Sequence, residues 1–391
     1  LVGANTGDAI TTGFDNVAIG RSALTTEDTG RKNVAIGSSA LETQNSDADN
    51  FNVAVGFEAG KEVTTGISNT LIGGLAGDAL TDADNNVAVG KGALSADTLG
   101  STAVAIGNFA LASQNFTTAT NNFNVSVGYS AGEQVTTGLY NTLIGGLAGD
   151  ALTDADSNVA VGQSALTSDT LGSFSVAIGQ NALASQNFTT ATNVYNVAVG
   201  KGAGETISTG TGNTLVGGLS GDALTTGFSN VAIGRSALST EDTGRKNVAV
   251  GFAALEQQNS DADNLNTAVG FYAGGGITTG THNVFVGGFA GDGTDDGNNS
   301  VAVGYLALSG NCGDSNVAIG LEALKVTTGS ANTCIGKNSG DAVTSGSNNL
   351  FAGNDSGRTG SPGGNMTNDA NKIVLGDDNI AEAHIQVDWT V

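Results

Sequence analysis

The chain has 391 residues, 61 of them Gly and only one Pro, with 5% aromatic and 13% charged residues and a net charge of −24. Few aromatics exclude a large aromatic core, and an acidic surface repels phosphate backbones, so nucleic acid is not an expected partner. The sequence shows no apolar run of about eighteen residues and no basic leader, so direct membrane insertion is not expected either.

From the first residues onward the chain repeats itself, and such self-similarity determines the fold class before any motif does. Asn16-Val-Ala-Ile-Gly20 recurs, with close variants, at residues 33, 52, 69, 86, 103, 124, 141, 158, 175, 196, 213, 230, 247, 266, 283, 300, 316, 332 and 349; thirteen of the nineteen intervals are 17 residues. The fifth residue is Gly in every copy, as expected where φ is positive or two backbones approach closely. Three residues later stands Ala or Ser, usually followed by Leu or Gly, and a Thr-Gly type turn closes the unit. Each unit reads as a coil of two short strands and two turns. The expected fold is therefore all-β, a parallel β-solenoid of about 17-residue coils over residues 1–357. Stacking at about 4.8 Å per coil makes a rod on the order of 100 Å long. The equivalent Asn residues should stack as a ladder with amide hydrogen bonds.

A longer period overlies the short one. Every fourth coil carries an insertion, at residues 44–50, 114–121, 186–193 and 258–264. Each should bulge outward, about 19 Å from the next. Candidate receptor-binding residues lie in or beside these insertions: Asn45, Asp47, Asp49, Phe51, Phe116, Phe123, Phe188, Tyr195, Asp261 and Asp263. Their aromatic rings suit either the root of the bulge or stacking on sugars. The paired Asp residues supply hard oxygens, but one such turn offers too few ligands for Ca²⁺ and reads as a solvated turn, so no metal and no cofactor are expected.

Val, Ala and Ile stand side by side in most strands, which implies burial on both faces, and a coil this small has no second layer of its own. Neighbouring copies of the chain are the simplest cover. Catalysis is not expected. His282 and His384 are the only histidines, and no Lys follows the Gly-rich stretches as a phosphate loop requires. Cys312 and Cys334 read as idle or buried thiols. Beyond the repeats, residues 358–370 form a Gly-rich linker and residues 371–391 a C-terminal β segment.

The unit Asn-Val-Ala-Ile-Gly-x-x-Ala-Leu with Thr-Gly turns resembles the head repeats of trimeric autotransporter adhesins, over residues 1 to about 357. That resemblance implies a left-handed β-roll-like solenoid assembled as a homotrimeric fibre, although the unit here is longer than the head repeat. The end, Asn371-Lys-Ile-Val-Leu-Gly376 through Trp389-Thr-Val391, is similar to the segment preceding the endosialidase-type self-cleaving chaperone of phage tail fibres. This second resemblance implies a chaperone removed after Val391. Leu1-Val2-Gly3 aligns with Leu215-Val216-Gly217, so more solenoid or an anchoring domain is expected upstream. Together these features lead us to expect a structural phage tail fibre, extracellular, serving as rigid spacer and binder of a cell-surface glycan or protein receptor within a larger virion or surface assembly. A bacterial cell-surface trimeric adhesin is the alternative.

Overall fold

The computed structural model describes residues 1–380 and Glu382. The chain is all-β, a parallel β-solenoid of about 20 turns of about 17 residues, and it divides into two compact units, Leu1–Gly212 and Asn213–Val391. Among the described residues, the first unit holds eleven three-residue strands, from Val17–Ile19 to Val197–Val199, and the second holds ten, from Thr214–Val216 to Ile373–Leu375. Within each unit neighbouring strands pair in parallel and in strict register, Val17 opposite Val34 in the first and Val231 opposite Val248 in the second.

The coil has one strand rather than the two expected. Segments such as Ala23-Leu24 are turns, because Ser22 and Leu24 both take left-handed φ values of 55° and 53°. Coil-to-coil hydrogen bonding nevertheless continues through the turns: the Leu24 N–H donates to Ala40 O at 3.0 Å, and the Leu41 N–H to Ala59 O at 3.1 Å. Stacking thus satisfies much of the backbone with little regular sheet. Among the described residues, short second strands appear only at two insertions, where Gly100–Ser101 pairs with Thr120–Asn121 and Gly172–Ser173 with Thr192–Asn193.

The invariant Gly meets both demands that its recurrence in every coil suggested. Gly145 has a φ of 135°, and a Cβ placed there would lie 2.5 Å from the Gly162 carbonyl oxygen of the next coil. The Asn ladder forms, with amide-to-amide bonds at some steps, such as Asn349 Nδ2 to Asn332 Oδ1 at 3.0 Å, and side chain-to-backbone bonds along most of its length. Asn141 Oδ1 accepts the Asn158 backbone N–H at 3.0 Å, while its Nδ2 donates to Ala155 O at 2.7 Å. Each side chain therefore ties its coil to the following one and closes the turn there.

The core follows a volume rule. In most coils whose central strand residue is Ala, as at Ala88, Ala105, Ala160 and Ala177, the residue six positions on is Leu (Leu94, Leu111, Leu166, Leu183), all fully buried, whereas Ala54, Ala198 and Ala268 are followed by Gly60, Gly204 and Gly274. Where the centre is Leu71, Leu143, Leu215, Phe285 or Phe351, that later residue is Gly77, Gly149, Gly221, Gly291 or Gly357. One large side chain fills the space of both positions, since a Cβ at Gly149 would lie 2.7 Å from Leu143 Cδ2. The coil preceding the Leu143 coil, with Ser126 and Gly132, leaves further room, and a Cβ at Gly132 would meet Leu143 Cδ1 at 2.7 Å.

On the outer side of each strand, the flanking Val and Ile are half-buried or exposed: Ile72 38%, Ile144 39% and Ile178 37%. Burial on both faces, expected from the sequence, is therefore not achieved within one chain. The stretch 358–370 is folded against the coil before it, with the Met366 N–H donating to Gly357 O at 2.9 Å and the Thr344 N–H to Thr367 O at 2.8 Å.

Candidate functional site

Each insertion is built on a buried acid that is not among the residues singled out by the sequence pattern. Glu27, Asp97, Asp169 and Glu241 occur once per four coils, in the coil before the one carrying the insertion, and all are fully buried. Asp97 Oδ1 accepts the Gly100 N–H at 3.0 Å and the Phe116 N–H at 3.0 Å. Its Oδ2 accepts Gln114 Nε2 at 2.6 Å, while Gln114 Oε1 accepts Asn124 Nδ2 from the ladder at 2.8 Å. A continuous relay, ladder amide to Gln to carboxylate to loop backbone, therefore fixes the insertion to the core. Asp169 repeats it, taking the Phe188 N–H at 2.9 Å and the Gly172 N–H at 3.1 Å. Glu27 and Glu241 hold the shorter insertions through the Gly30 and Gly244 N–H groups, both at 2.7 Å, and through Asn50 and Asn264. Burial pushes the carboxyls of Asp97, Glu27 and Glu241 above the usual range, against the hydrogen bonds that favour their charged forms. The available signal was an acid eleven residues after a ladder Asn, followed seventeen residues later by Gln44, Gln114, Gln186 or Gln258.

These anchors decide where the expected receptor residues lie. Phe116 and Phe188 are only 6% and 7% exposed. Their backbones are captured by Asp97 and Asp169, so the rings plug the root of the loop and offer no face to a ligand; they leave the set of candidates on that ground. Asn45 and Asp47 are exposed, but Asp47 accepts Thr29 Oγ1 at 2.5 Å. Asp49 pairs with Lys32 at 2.6 Å and Arg31 at 3.6 Å, and Asp263 repeats this with Lys246 at 2.6 Å and Arg245 at 3.6 Å. In both, the hydrogen bond from the Lys ammonium holds the carboxyl below its ordinary range. Asp261 accepts Thr243 Oγ1 at 2.5 Å. The insertion acids thus tie coils together. Among the described residues no group of three His, Cys, Asp or Glu side chains is arranged to hold a metal.

Phe51, Phe123 and Tyr195 are half or more exposed and stand just before ladder Asn residues. In that column of the first unit Lys32 Nζ lies 4.8 Å from the Phe51 ring centroid. Farther along, Phe123 stacks on Tyr140 (5.9 Å between centroids, planes at 10°) and Phe174 on Tyr195 (5.5 Å, 17°). A second exposed column follows the invariant Gly, with Phe57 at 54% and Tyr129 at 60% in the first unit. In the second unit the same column stacks Phe252 on Phe271 at 5.2 Å, and Phe289 packs edge-on to both Phe271 and Tyr305. The apolar outward strand residues run between the two columns.

Neither a protein-family model nor a curated protein matches this chain. The surface must therefore be read from its own chemistry. His282 is exposed and contacts the neighbouring Thr281 hydroxyl at 2.9 Å, while His384 lies outside the described residues. Cys312 and Cys334 are buried free thiols, and burial pushes the Cys334 thiol up to about 12, which makes it a poor nucleophile. Among the described residues, what the surface offers is a stripe of β-branched residues bordered by aromatic rings.

Proposed function

We propose that this chain is a non-catalytic structural fibre subunit that self-associates as a homotrimer through its outward strand face, of the phage tail-fibre type, and presents its edges to a cell-surface receptor. The observation that carries the reading is the unbroken outward stripe of the first unit. In each of its eleven strands the two outward residues are Val, Ile or Thr, without a charge. Six of these side chains, Val17, Ile19, Ile72, Ile106, Ile144 and Ile178, are about two-fifths exposed and the rest half-buried, so the stripe leaves apolar surface on the order of the roughly 800 Å² per partner of a stable interface. A monomer has no use for such a patch.

The solenoid suits a spacer because each coil touches only its neighbours, so length is gained by repetition without a larger core. The net charge of −24 keeps such a particle soluble and disfavours polyanionic partners. A larger virion or surface assembly carrying it, and an extracellular location, belong to the same reading. The head-repeat resemblance favours the second reading, a cell-surface adhesin, which would use the same stripe and the same edges.

The test is the mass of the native particle. Native mass spectrometry of the full chain should give a trimer, and Val159→Lys with Val161→Lys should convert it to monomer with an unchanged circular dichroism spectrum. A wild-type monomer with a folded spectrum would overturn the proposal.

A further inference from the structure

The geometry points to a binding slot for one neutral pyranose ring, between Tyr140 and Phe174 and floored by Ser157. This inference rests on the receptor-binding part of the reading above. The three residues occupy the same position in consecutive coils, immediately before Asn141, Asn158 and Ser175, the last standing at a ladder position where most coils carry Asn. The column reads Phe123, Tyr140, Ser157, Phe174, Tyr195. Its two outer pairs are stacked nearly parallel, so the only break in an otherwise continuous pile of rings is the small side chain of Ser157.

The width of that break selects the occupant. Two coil spacings separate the levels of Tyr140 and Phe174 by about 10 Å; subtracting a carbon contact of about 3.7 Å on each side leaves on the order of 2 Å for the guest's own thickness. A flat aromatic guest would be loose there. A puckered pyranose carrying an axial hydroxyl, thicker between its outer heavy atoms than any flat ring, fills it. The Ser157 hydroxyl makes no hydrogen bond among the described residues and sits half-exposed at the floor, where it can bond a sugar hydroxyl; Asp154 and Asp156 stand beside it as further acceptors.

Charge selects the class of sugar. Between Lys91 and Lys201 the sequence contains no Lys or Arg, while Glu133, Asp150, Asp154, Asp156 and Asp169 fall in the coils around the slot. Carboxylated, sulfated or phosphorylated sugars are therefore repelled, and a neutral ring is accepted.

Backbone strain supports a role beyond folding. Tyr140 and Phe174 have φ values of 60° and 64°, left-handed conformations that disfavour a bulky side chain, and they are 53% and 41% exposed. Asn, Ser or Gly serve at this position in other coils with less strain, and rings this exposed return little packing energy. Strained, exposed aromatics are the pattern expected of a site retained for contact with something else.

The experiment uses the full chain and saturation-transfer difference NMR with galactose, glucose, mannose, rhamnose and N-acetylglucosamine as neutral probes, and N-acetylneuraminic acid as the anionic comparison; native mass is recorded on every sample. At least one neutral sugar should bind and the anionic one should not. Tyr140→Ala and Phe174→Ala should each weaken binding at least tenfold. Ser157→Phe, which extends the ring pile with a residue the column already tolerates at Phe123 and Phe174, should abolish it while the oligomer persists. Phe14→Ala, at an exposed ring outside the slot and outside the candidate receptor residues, should leave it unchanged. A trimer that binds none of the neutral sugars, or a Ser157→Phe protein that binds as well as wild type, overturns the slot and leaves the fibre reading standing. Loss of the oligomer in Ser157→Phe also overturns it, since the slot would then be filled by a second copy of the chain. A monomeric wild type that still binds sugar through Tyr140 and Phe174 refutes the fibre reading alone.

Discussion

Replacing Asp97 separates two contributions of the buried acids: accepting loop hydrogen bonds and carrying charge. In Asp97→Leu the Gly100 N–H, the Phe116 N–H and Gln114 Nε2 all lose their acceptor, and Gln114 cannot simply turn its amide, because its Oε1 already accepts Asn124. Each orphaned buried donor costs about 1–3 kcal/mol, so even after crediting the apolar side chain and the removal of a buried charge, the net loss should be about 3 kcal/mol or more. Asp97→Asn keeps an oxygen for the two backbone donors but turns an N–H donor towards Gln114 Nε2, so it should cost about 1–3 kcal/mol, less than the Leu variant. Urea denaturation gives the difference, and hydrogen exchange at Phe116 locates it in the loop.

The pH dependence of the same pair has a defined sign. Burial raises the Asp97 carboxyl above its ordinary value of 3.8, so the native chain holds the proton more tightly than the unfolded chain between those two values. Its contribution to stability is complete below the ordinary value and declines as pH rises through the raised one. Asp97→Asn should remove that part of the slope, leaving the parts due to Glu27 and Glu241. Equal stabilities of the Leu and Asn variants, with an unchanged slope, would show that the acid is not what holds the insertion.

Two further substitutions test the stack itself. Gly145→Ala combines a φ of 135° with a Cβ 2.5 Å from Gly162 O, and should cost more than about 3 kcal/mol or open the coils locally, seen as lost amide protection around residues 142–163. Asn141→Ala breaks the bonds to the Asn158 N–H and Ala155 O, and should cost about 2–4 kcal/mol in urea denaturation; a change below about 0.5 kcal/mol would remove the ladder as a source of stability.

How legible the molecule is in its sequence differs between its parts. The repeat, the ladder Asn, the invariant Gly and the placement of insertions at every fourth coil are all readable, because a stack of near-identical coils imposes the same demand at the same position again and again. The second strand is not: Ala23-Leu24 carries strand-like residues, yet left-handed φ values at Ser22 and Leu24 turn the chain, and nothing in a Leu announces a positive φ. The volume rule is present in the pairing of Leu143 with Gly149 and of Ala160 with Leu166, but it becomes visible only once residues six apart are known to face each other.

The candidate site shows the same limit more sharply. Phe51, Phe123 and Tyr195 can be found because they flank the insertions, whereas Phe116 and Phe188 suit either the root of the bulge or its surface until Asp97 and Asp169 are seen to tie the loop inward. Tyr140 and Phe174 give no sign of themselves, being seventeen residues or more from their neighbours in a column that only stacking creates. Period, composition and the identity of each coil's corners are properties of the chain read along its length, and the sequence alone determined them. Which side chains share a face, which acid meets which loop and which rings stack on one another depend on distances across coils, and only the tertiary structure decided those.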